Sequence, residues 1–236
     1  MVYITGDMHG DYSRFEEVNI KKKLKKKDTL IVCGDFGFIW DGSKEEEKIL
    51  KKIGEFNFDV LFIDGKHENF DLIKKFEKVS LNDGTARNIF GNLYYLIRGE
   101  IYKIENNNFF VLGGGESQDH DREVRMELGK WWKEEMPSFE EISNATEKLN
   151  LVNREVDYII THEPPGYIKN LSYKFSQINF LNTFFDSVSK EVAFKKWFFG
   201  SLHLDKAITS KHIAVFNNVV PVENIAKKHL FRRKKK

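Results

Sequence analysis

The chain has 236 residues, of which 41% are hydrophobic and four are proline. This composition supplies enough apolar side chains for a folded core and excludes an extended disordered protein. The formal net charge of +2 is unevenly distributed: residues 227–236 carry seven Lys/Arg and no acid, which leaves −5 (2 − 7) on the remainder.

The same quantities bound the domain organisation and the location. No apolar run approaches the ~18 residues of a membrane span, and the N-terminus lacks the pattern of a secretory signal, so we predict a cytoplasmic protein without a membrane span. We predict one domain over residues 1–226 and a basic C-terminal tail over 227–236. A solvated terminus is the commoner outcome for such a tail, and contact with nucleic acid or acidic lipid is the alternative.

The first third of the chain alternates buried strands with helices. Short apolar runs predict strands over 2–5, 29–33 and 60–63, and Ser-x-x-Glu capping boxes predict helices that begin at Ser13 and Ser43 and end near residues 26 and 56. This β-α-β-α-β order predicts parallel strands with helices on their faces. In such sheets, ligands bind beyond the carboxyl ends of the strands.

The remainder changes character. A helix is predicted over 69–78, and turn signals then separate short β runs at 93–97, 100–104 and 109–112. The polar stretch 116–125 is interpreted as a loop. Further along, the sequence predicts helices from Ser138 and over 179–187, strands over 157–160 and 197–199, and a final antiparallel meander of three strands at 206–209, 212–216 and 219–222.

Polar residues with oxygen and nitrogen donors follow several of the predicted strands. They stand in five blocks, which are Gly6-Asp7-Met8-His9-Gly10, Gly34-Asp35, Gly65-Lys66-His67-Glu68, Thr161-His162 and Gly200-Ser201-Leu202-His203. Aspartate and histidine suit divalent Mn, Fe or Zn, and two such ions ~3.5–4 Å apart can bind a phosphoryl group between them. The pattern indicates one site assembled from several strand ends.

Taken in order, the five blocks resemble the motifs of the calcineurin-like metallophosphoesterases. The resemblance implies an α/β fold, a two-sheet β-sandwich flanked by helices, and hydrolysis of a phosphomonoester or phosphodiester by metal-activated water. It gives each block a role: Asp7, His9 and His203 would bind the first metal, Asp35 would bridge both metals, and His162 would bind the second metal. His67 would lie near the leaving group as a general acid or as a stabiliser of charge, held or oriented by Glu68. Catalysis would therefore depend on His67 and Asp35.

Two positions depart from the family pattern, and both concern the second metal. Lys66 stands where the family has an asparagine ligand, and Ser201 stands where it has a histidine ligand. A protonated lysine repels a dication. We therefore expect one strongly bound ion and an impaired second metal site, with the Lys66 ammonium taking the place of the second ion beside Asp35.

Other interpretations remain open at this point. The chain could be a catalytically silent member of the fold that binds a nucleotide, nucleic acid or protein through the old cleft. A Ser201–Lys66 nucleophile pair is a weaker alternative. Arg122 and Arg125 are candidate substrate contacts, although a solvated loop explains them equally well. No residue pattern specifies the oligomeric state or the particular phosphate ester.

Overall fold

The computed structural model describes residues 1–16, 20, 23–173 and 177–223. The predicted tail at 227–236 and part of the basic run at 21–27 lie outside these residues. The strands are β1 (Val2–Thr5), β2 (Thr29–Cys33), β3 (Asp59–Ile63), β4 (Lys78–Leu81), β5 (Gly84–Phe90), β6 (Leu93–Leu96), β7 (Ile101–Ile104), β8 (Asn107–Leu112), β9 (Tyr158–Thr161), β10 (Lys196–Phe199), β11 (Lys206–Ala207), β12 (His212–Ala214) and β13 (Val220–Pro221).

The helices lie between these strands. They are α1 (Ser13–Glu16), α2 (Lys44–Gly54), α3 (Phe70–Ile73), α4 (Asp119–Glu127), α5 (Phe139–Leu151), α6 (Gly166–Ser172) and α7 (Phe180–Glu191), with a 3₁₀ turn at Lys133–Glu135. Across the described residues, no helix is both long and apolar enough to cross a membrane.

The strands form two sheets, with orders β13-β1-β2-β3-β6-β5-β4 and β11-β12-β10-β9-β8-β7. Strands β1, β2, β3 and β6 run parallel in the first sheet, and β8, β9, β10 and β12 run parallel in the second. Parallel strands are normally buried on both faces and are therefore apolar throughout. The predicted α/β sandwich of two sheets flanked by helices is confirmed.

Three apolar layers hold the sandwich together. Alternate residues of each strand face the opposite sheet, so Ile4 and Ile31 share a buried cluster with Ile160 and Phe198. The residues between them face outward against helices. The outer face of the first sheet packs on α1, α2 and α3, and that of the second packs on α5, α6 and α7. The carboxyl ends of the parallel strands are thereby fixed by packing on both sides.

Two predicted helices differ from the structure. The helix over 69–78 is limited to the single turn α3, because Lys78 already begins β4, which forms with β5 a hairpin that the sequence interpretation missed. Asn82 and Asp83 at its turn have φ of 50° and 67°, the left-handed values of a tight hairpin turn. The helix predicted from Ser13 to residue 26 ends before Lys23, and Ser13 is its first residue, with Asp11 accepting from the Ser13 N–H at 3.0 Å.

Two further expectations need correction, and one helix was not predicted. The stretch interpreted as a loop over 116–125 contains most of α4, and α6 was not predicted. The final meander is wrong as well. β11 and β12 pair antiparallel, but β12 also pairs parallel with β10, and β13 joins β1 in the other sheet. The helix α5 does begin with the predicted capping box of Ser138 and Glu141.

Candidate metal centre

The five predicted blocks meet at one edge of the sandwich. Asp7 follows β1, Asp35 follows β2 and His67 follows β3, while His162 and His203 follow β9 and β10 of the second sheet. The site therefore spans the gap between the two sheets, and neither sheet could form it alone.

Tight turns bring the side chains inward. His9, Asp35 and His203 have φ of 49°, 43° and 49°, values that non-glycine residues seldom adopt. Gly34 has φ of 89°, and a Cβ there would lie 2.3 Å from Nδ1 of His162. Glycine is therefore required at position 34 for the β2 turn to lie against the imidazole.

The first group of donors consists of Asp7, His9 and His203. The Asp7 side chain is buried, and its Oδ2 lies 2.9 Å from Nε2 of His203. The Nε2 atoms of His9 and His203 are 3.1 Å apart. The imidazoles are 36% and 51% exposed, respectively. One buried anion thus faces two imidazoles that solvent can reach.

Asp35 is the second anchor and is fully buried. Its Oδ1 accepts from the backbone N–H of Lys66 at 2.7 Å and of His67 at 2.9 Å, and its Oδ2 lies 2.7 Å from Nδ1 of His67. Burial alone would raise the pKa of Asp35, but the charge of His162 and the hydrogen bonds from His67 hold the pKa well below its usual value. Asp35 is therefore a carboxylate at neutral pH.

His162 lies between the two anions. Its Nδ1 is 3.5 Å from Oδ1 of Asp7 and its Nε2 is 3.7 Å from Oδ1 of Asp35. Burial would lower the pKa of His162, but Asp35 and Asp7 raise it to about 10. Without a bound cation, the protonated imidazole balances part of the buried negative charge.

Several buried polar atoms of the site have no hydrogen-bond partner among the described residues. They are Nε2 of His162, Oγ of Ser201 and both carboxylate oxygens of Asp7, which face the imidazoles of His162 and His203 only as ion-pair partners. Within the described ranges, three sets of side chains place ligand atoms within 4.8 Å of one another: Asp7, His9 and His203; His9, Asp35 and His67; and Asp7, Asp35 and His162. Unsatisfied buried carboxylate and imidazole atoms are costly. The donor set therefore fits a divalent cation.

A comparison with protein families gives the same assignment. The model of the family described as calcineurin-like phosphoesterase matches residues 1–203. The chain belongs to the calcineurin-like phosphoesterase family. No curated protein matches the sequence. Membership supports metal-dependent hydrolase chemistry on a phosphate ester, and the predicted recognition is confirmed.

The two positions that depart from the family pattern lie beside Asp35. The Lys66 side chain is half-buried, and Lys66 contacts Asp35 through its backbone N–H. In the part of the chain that the structure describes, the ion pairs of Asp35 are with His9, His67 and His162, and the Lys66 ammonium is not among them. Its replacement of the second ion stays a prediction.

Glu68 does not orient His67 as expected. It is fully buried, and its carboxylate accepts from the N–H of Phe36 at 2.6 Å and of Gly37 at 3.4 Å. Burial, reinforced by the charge of Asp35, raises the pKa of Glu68 well above its usual value. Glu68 therefore fixes the turn that carries Asp35, while Asp35 itself holds the ring of His67.

The two candidate substrate arginines lie on α4 in different surroundings. Arg122 forms an ion pair with Asp119 at 2.6 Å on the outer surface. Arg125 is directed toward the protein and donates to the carbonyl oxygen of Lys66 at 2.8 Å. Contact of either with substrate stays a prediction.

A buried ion pair next to the site was missed. Arg98 donates to Asp64 through Nε at 3.0 Å and through Nη2 at 2.5 Å, and the hydroxyl of Tyr95 donates to the same carboxylate at 2.8 Å. Asp64 directly precedes Gly65, so this network fixes the start of the third motif. The sequence did mark Asp64 as a candidate site residue, because Asp64 follows an apolar strand as Asp7 and Asp35 do.

Proposed function

We propose that this protein is a metal-dependent phosphoesterase that hydrolyses a phosphomonoester or phosphodiester with one strongly bound divalent cation of Mn, Fe or Zn. The observation that carries the proposal is the buried Asp7 carboxylate, which faces Nε2 of His203 at 2.9 Å and whose oxygens lie within 4.8 Å of ligand atoms of His9, Asp35 and His162. The cation would be bound by Asp7, His9, Asp35 and His203. His162 would be a further candidate ligand on the buried side of the site.

When bound, the cation supplies a Lewis acid and lowers the pKa of water. The chain's own contribution is to place a proton donor beside it. The hydrogen bond between Nδ1 of His67 and Asp35, at 2.7 Å, leaves Nε2 free for proton transfer. The imidazole is 37% exposed, so a leaving-group oxygen can reach it. His67 is therefore the proposed general acid.

The departures at 66 and 201 support a single tightly bound ion. The sequence has a lysine at position 66 where the family has a neutral ligand, and the buried Ser201 hydroxyl has no hydrogen-bond partner among the described residues. The ammonium would supply part of the positive charge that the second ion provides elsewhere in the family. Metal analysis should give one ion per chain, and a Lys66→Asn, Ser201→His double variant should gain a second ion.

The decisive experiment measures hydrolysis of p-nitrophenyl phosphate and bis(p-nitrophenyl) phosphate by protein loaded with Mn²⁺. We expect turnover that Asp35→Ala abolishes and that Asp121→Ala, a change at an exposed aspartate of α4, leaves intact. If the native chain is inactive while the double variant is active, the silent binding protein is the correct alternative. Two tightly bound ions in the native protein would contradict the single-ion proposal.

A further inference from the structure

Helix α4 contacts the third motif through Arg125 and buries little surface of its own. All nine residues of α4 are half-buried or exposed. Its apolar side chains, among them Met126 at 55% exposure, face solvent. Arg125 is different, because its side chain is only 12% exposed. A helix that buries so little apolar surface needs specific polar contacts to stay in place.

Arg125 makes these contacts through three of its nitrogens. Nη2 donates to the carbonyl oxygen of Lys66 at 2.8 Å, Nη1 donates to Oγ of Ser117 at 2.7 Å, and Nε donates to the carbonyl oxygen of Lys130 at 3.1 Å. Glu135, which is buried, lies 3.5 Å from Nη1 and accepts from the Ser117 hydroxyl at 2.6 Å. The guanidinium is therefore held in one orientation by partners on several sides.

The carbonyl that Arg125 binds belongs to a peptide with a role in the site. The peptide unit between Lys66 and His67 offers its oxygen to Arg125 and its N–H to Oδ1 of Asp35, at 2.9 Å. Because a peptide is planar, fixing the oxygen also fixes the direction of the N–H. A cation on the oxygen also polarises the amide, which strengthens its N–H as a donor. Arg125 thus acts on Asp35 through one rigid unit.

The same peptide determines where His67 lies. The His67 ring and its own N–H bind the two oxygens of one carboxylate, at 2.7 Å and 2.9 Å. Rotation of the peptide would break the backbone bond and would shift the ring. We propose that Arg125 is a positioning residue of the phosphoesterase site, which holds the Lys66–His67 peptide so that Asp35 is oriented for the cation and His67 for the leaving group. This inference rests on the function proposed above.

The test compares Arg125→Ala and Arg125→Lys with the native chain. Outer-shell partners of metal ligands are typically worth about 10–100-fold in affinity or activity. We expect Arg125→Ala to raise the Mn²⁺ dissociation constant, measured by calorimetry, by about 10–100-fold. Turnover should show a lower kcat with little change in KM. Arg125→Lys keeps a charge but loses the planar fork, so its Mn²⁺ affinity should be intermediate.

A second measurement needs no metal and no substrate. Hydrogen exchange at the backbone amides of residues 64–68 in metal-free protein should be faster in both Arg125 variants than in the native chain. Arg154→Ala is the matched control, because Arg154 also donates to a side chain, Asn150, at 2.9 Å, and forms an ion pair with Glu191, but lies outside the site. It should change neither exchange at 64–68 nor Mn²⁺ affinity.

The outcomes separate this inference from the proposed function. If Arg125→Ala lowers the thermal midpoint but keeps Mn²⁺ affinity and kcat within twofold of the native values, Arg125 is only an anchor for α4 and the inference is overturned. If Arg125→Ala does not fold, an unchanged affinity in Arg125→Lys has the same meaning. If the native chain binds Mn²⁺ without turnover, the proposed function fails, and the affinity series still decides the role of Arg125.

Discussion

Replacing Gly200 with alanine should weaken metal binding, although Gly200 has no side chain that could bind the metal. Gly200 follows β10, and a Cβ at this position would lie 2.1 Å from Oδ1 of Asp7 and 2.4 Å from the carbonyl oxygen of Cys33. An ordinary contact begins at 3.4 Å, so the Asp7 carboxylate must move by about 1.3 Å and the β2 backbone by about 1.0 Å. The aspartate could rotate away, but the backbone oxygen could not.

These shifts set the size of the effect. Metal–ligand distances tolerate only about ±0.2 Å, so a displaced Asp7 should weaken Mn²⁺ binding by at least about 10-fold, as for the loss of an outer-shell partner. Overpacking typically costs about 1–3 kcal/mol. In a chain of this length, that corresponds to a thermal midpoint lower by roughly 2–12 °C.

Calorimetric Mn²⁺ titration and thermal unfolding would measure the two effects separately. Gly129→Ala is the matched control: Gly129 has φ of 63° and nothing within 4 Å of the added Cβ, so it should cost about 1–2 kcal/mol in backbone strain and leave Mn²⁺ affinity unchanged. Native Mn²⁺ affinity in Gly200→Ala would refute the reasoning, as would an equal loss of affinity in Gly129→Ala.

Three further predictions concern stability. Burial, with a smaller effect of Lys211, lowers the pKa of His212 from 6.5 to about 4. Between these pH values His212 is protonated in the unfolded chain but neutral in the folded chain, so acid favours unfolding. The free energy of unfolding should therefore fall by roughly 2 kcal/mol from pH 6.5 to pH 4, after allowance for solvent screening. Urea titrations should show a flatter pH profile for His212→Gln, and an unchanged profile would contradict the assignment. Arg98→Ala leaves Asp64 buried without its cation and should cost about 3–5 kcal/mol in urea unfolding, whereas a loss under 1 kcal/mol would show that solvent reaches the carboxylate. Mn²⁺ at about 100 times its dissociation constant should stabilise the native chain by about 2.7 kcal/mol and so raise its thermal midpoint. Asp7→Ala should remove that rise.

The frame of the site was predictable because it depends on local signals. Each block follows a short apolar strand, and parallel strands bring their carboxyl ends to one edge. The strands that carry Asp7, Asp35 and His162 were therefore predicted to within one or two residues. The resemblance of the five blocks then gave the family, since their order along the chain is more specific than any block alone.

What was missed depends on contacts between distant parts of the chain. Arg125 reaches the carbonyl of Lys66 across 59 residues, and Arg98 reaches Asp64 across 34. Glu68 was assigned to its neighbour His67 because adjacency was the only information, whereas its real partners are backbone N–H groups more than 30 residues earlier. The direction of a side chain after a strand depends on the conformation of the turn, which local sequence patterns do not reveal.

The missed elements have equally physical causes. Helix α4 escaped prediction because it buries none of its residues, and without a buried face there is no apolar period to detect. Strand β13 was assigned to the wrong sheet because a strand's own residues do not name its neighbour. The β4–β5 hairpin did carry a signal, since Asn82-Asp83-Gly84 is typical of a tight turn.

Three of the proposed ligand positions have consequences for anyone who engineers this protein. His9, Asp35 and His203 all hold left-handed backbone conformations, with φ of 49°, 43° and 49°, and each costs on the order of 1 kcal/mol or more. Selection for heat resistance alone should therefore favour glycine or asparagine at His9 and His203, whose imidazoles are partly exposed, whereas the backbone N–H groups that Asp35 accepts from would retain that residue. Variants that survive such a selection would be more stable than the natural chain because their backbone is less strained, but they would have lost ligands of the metal.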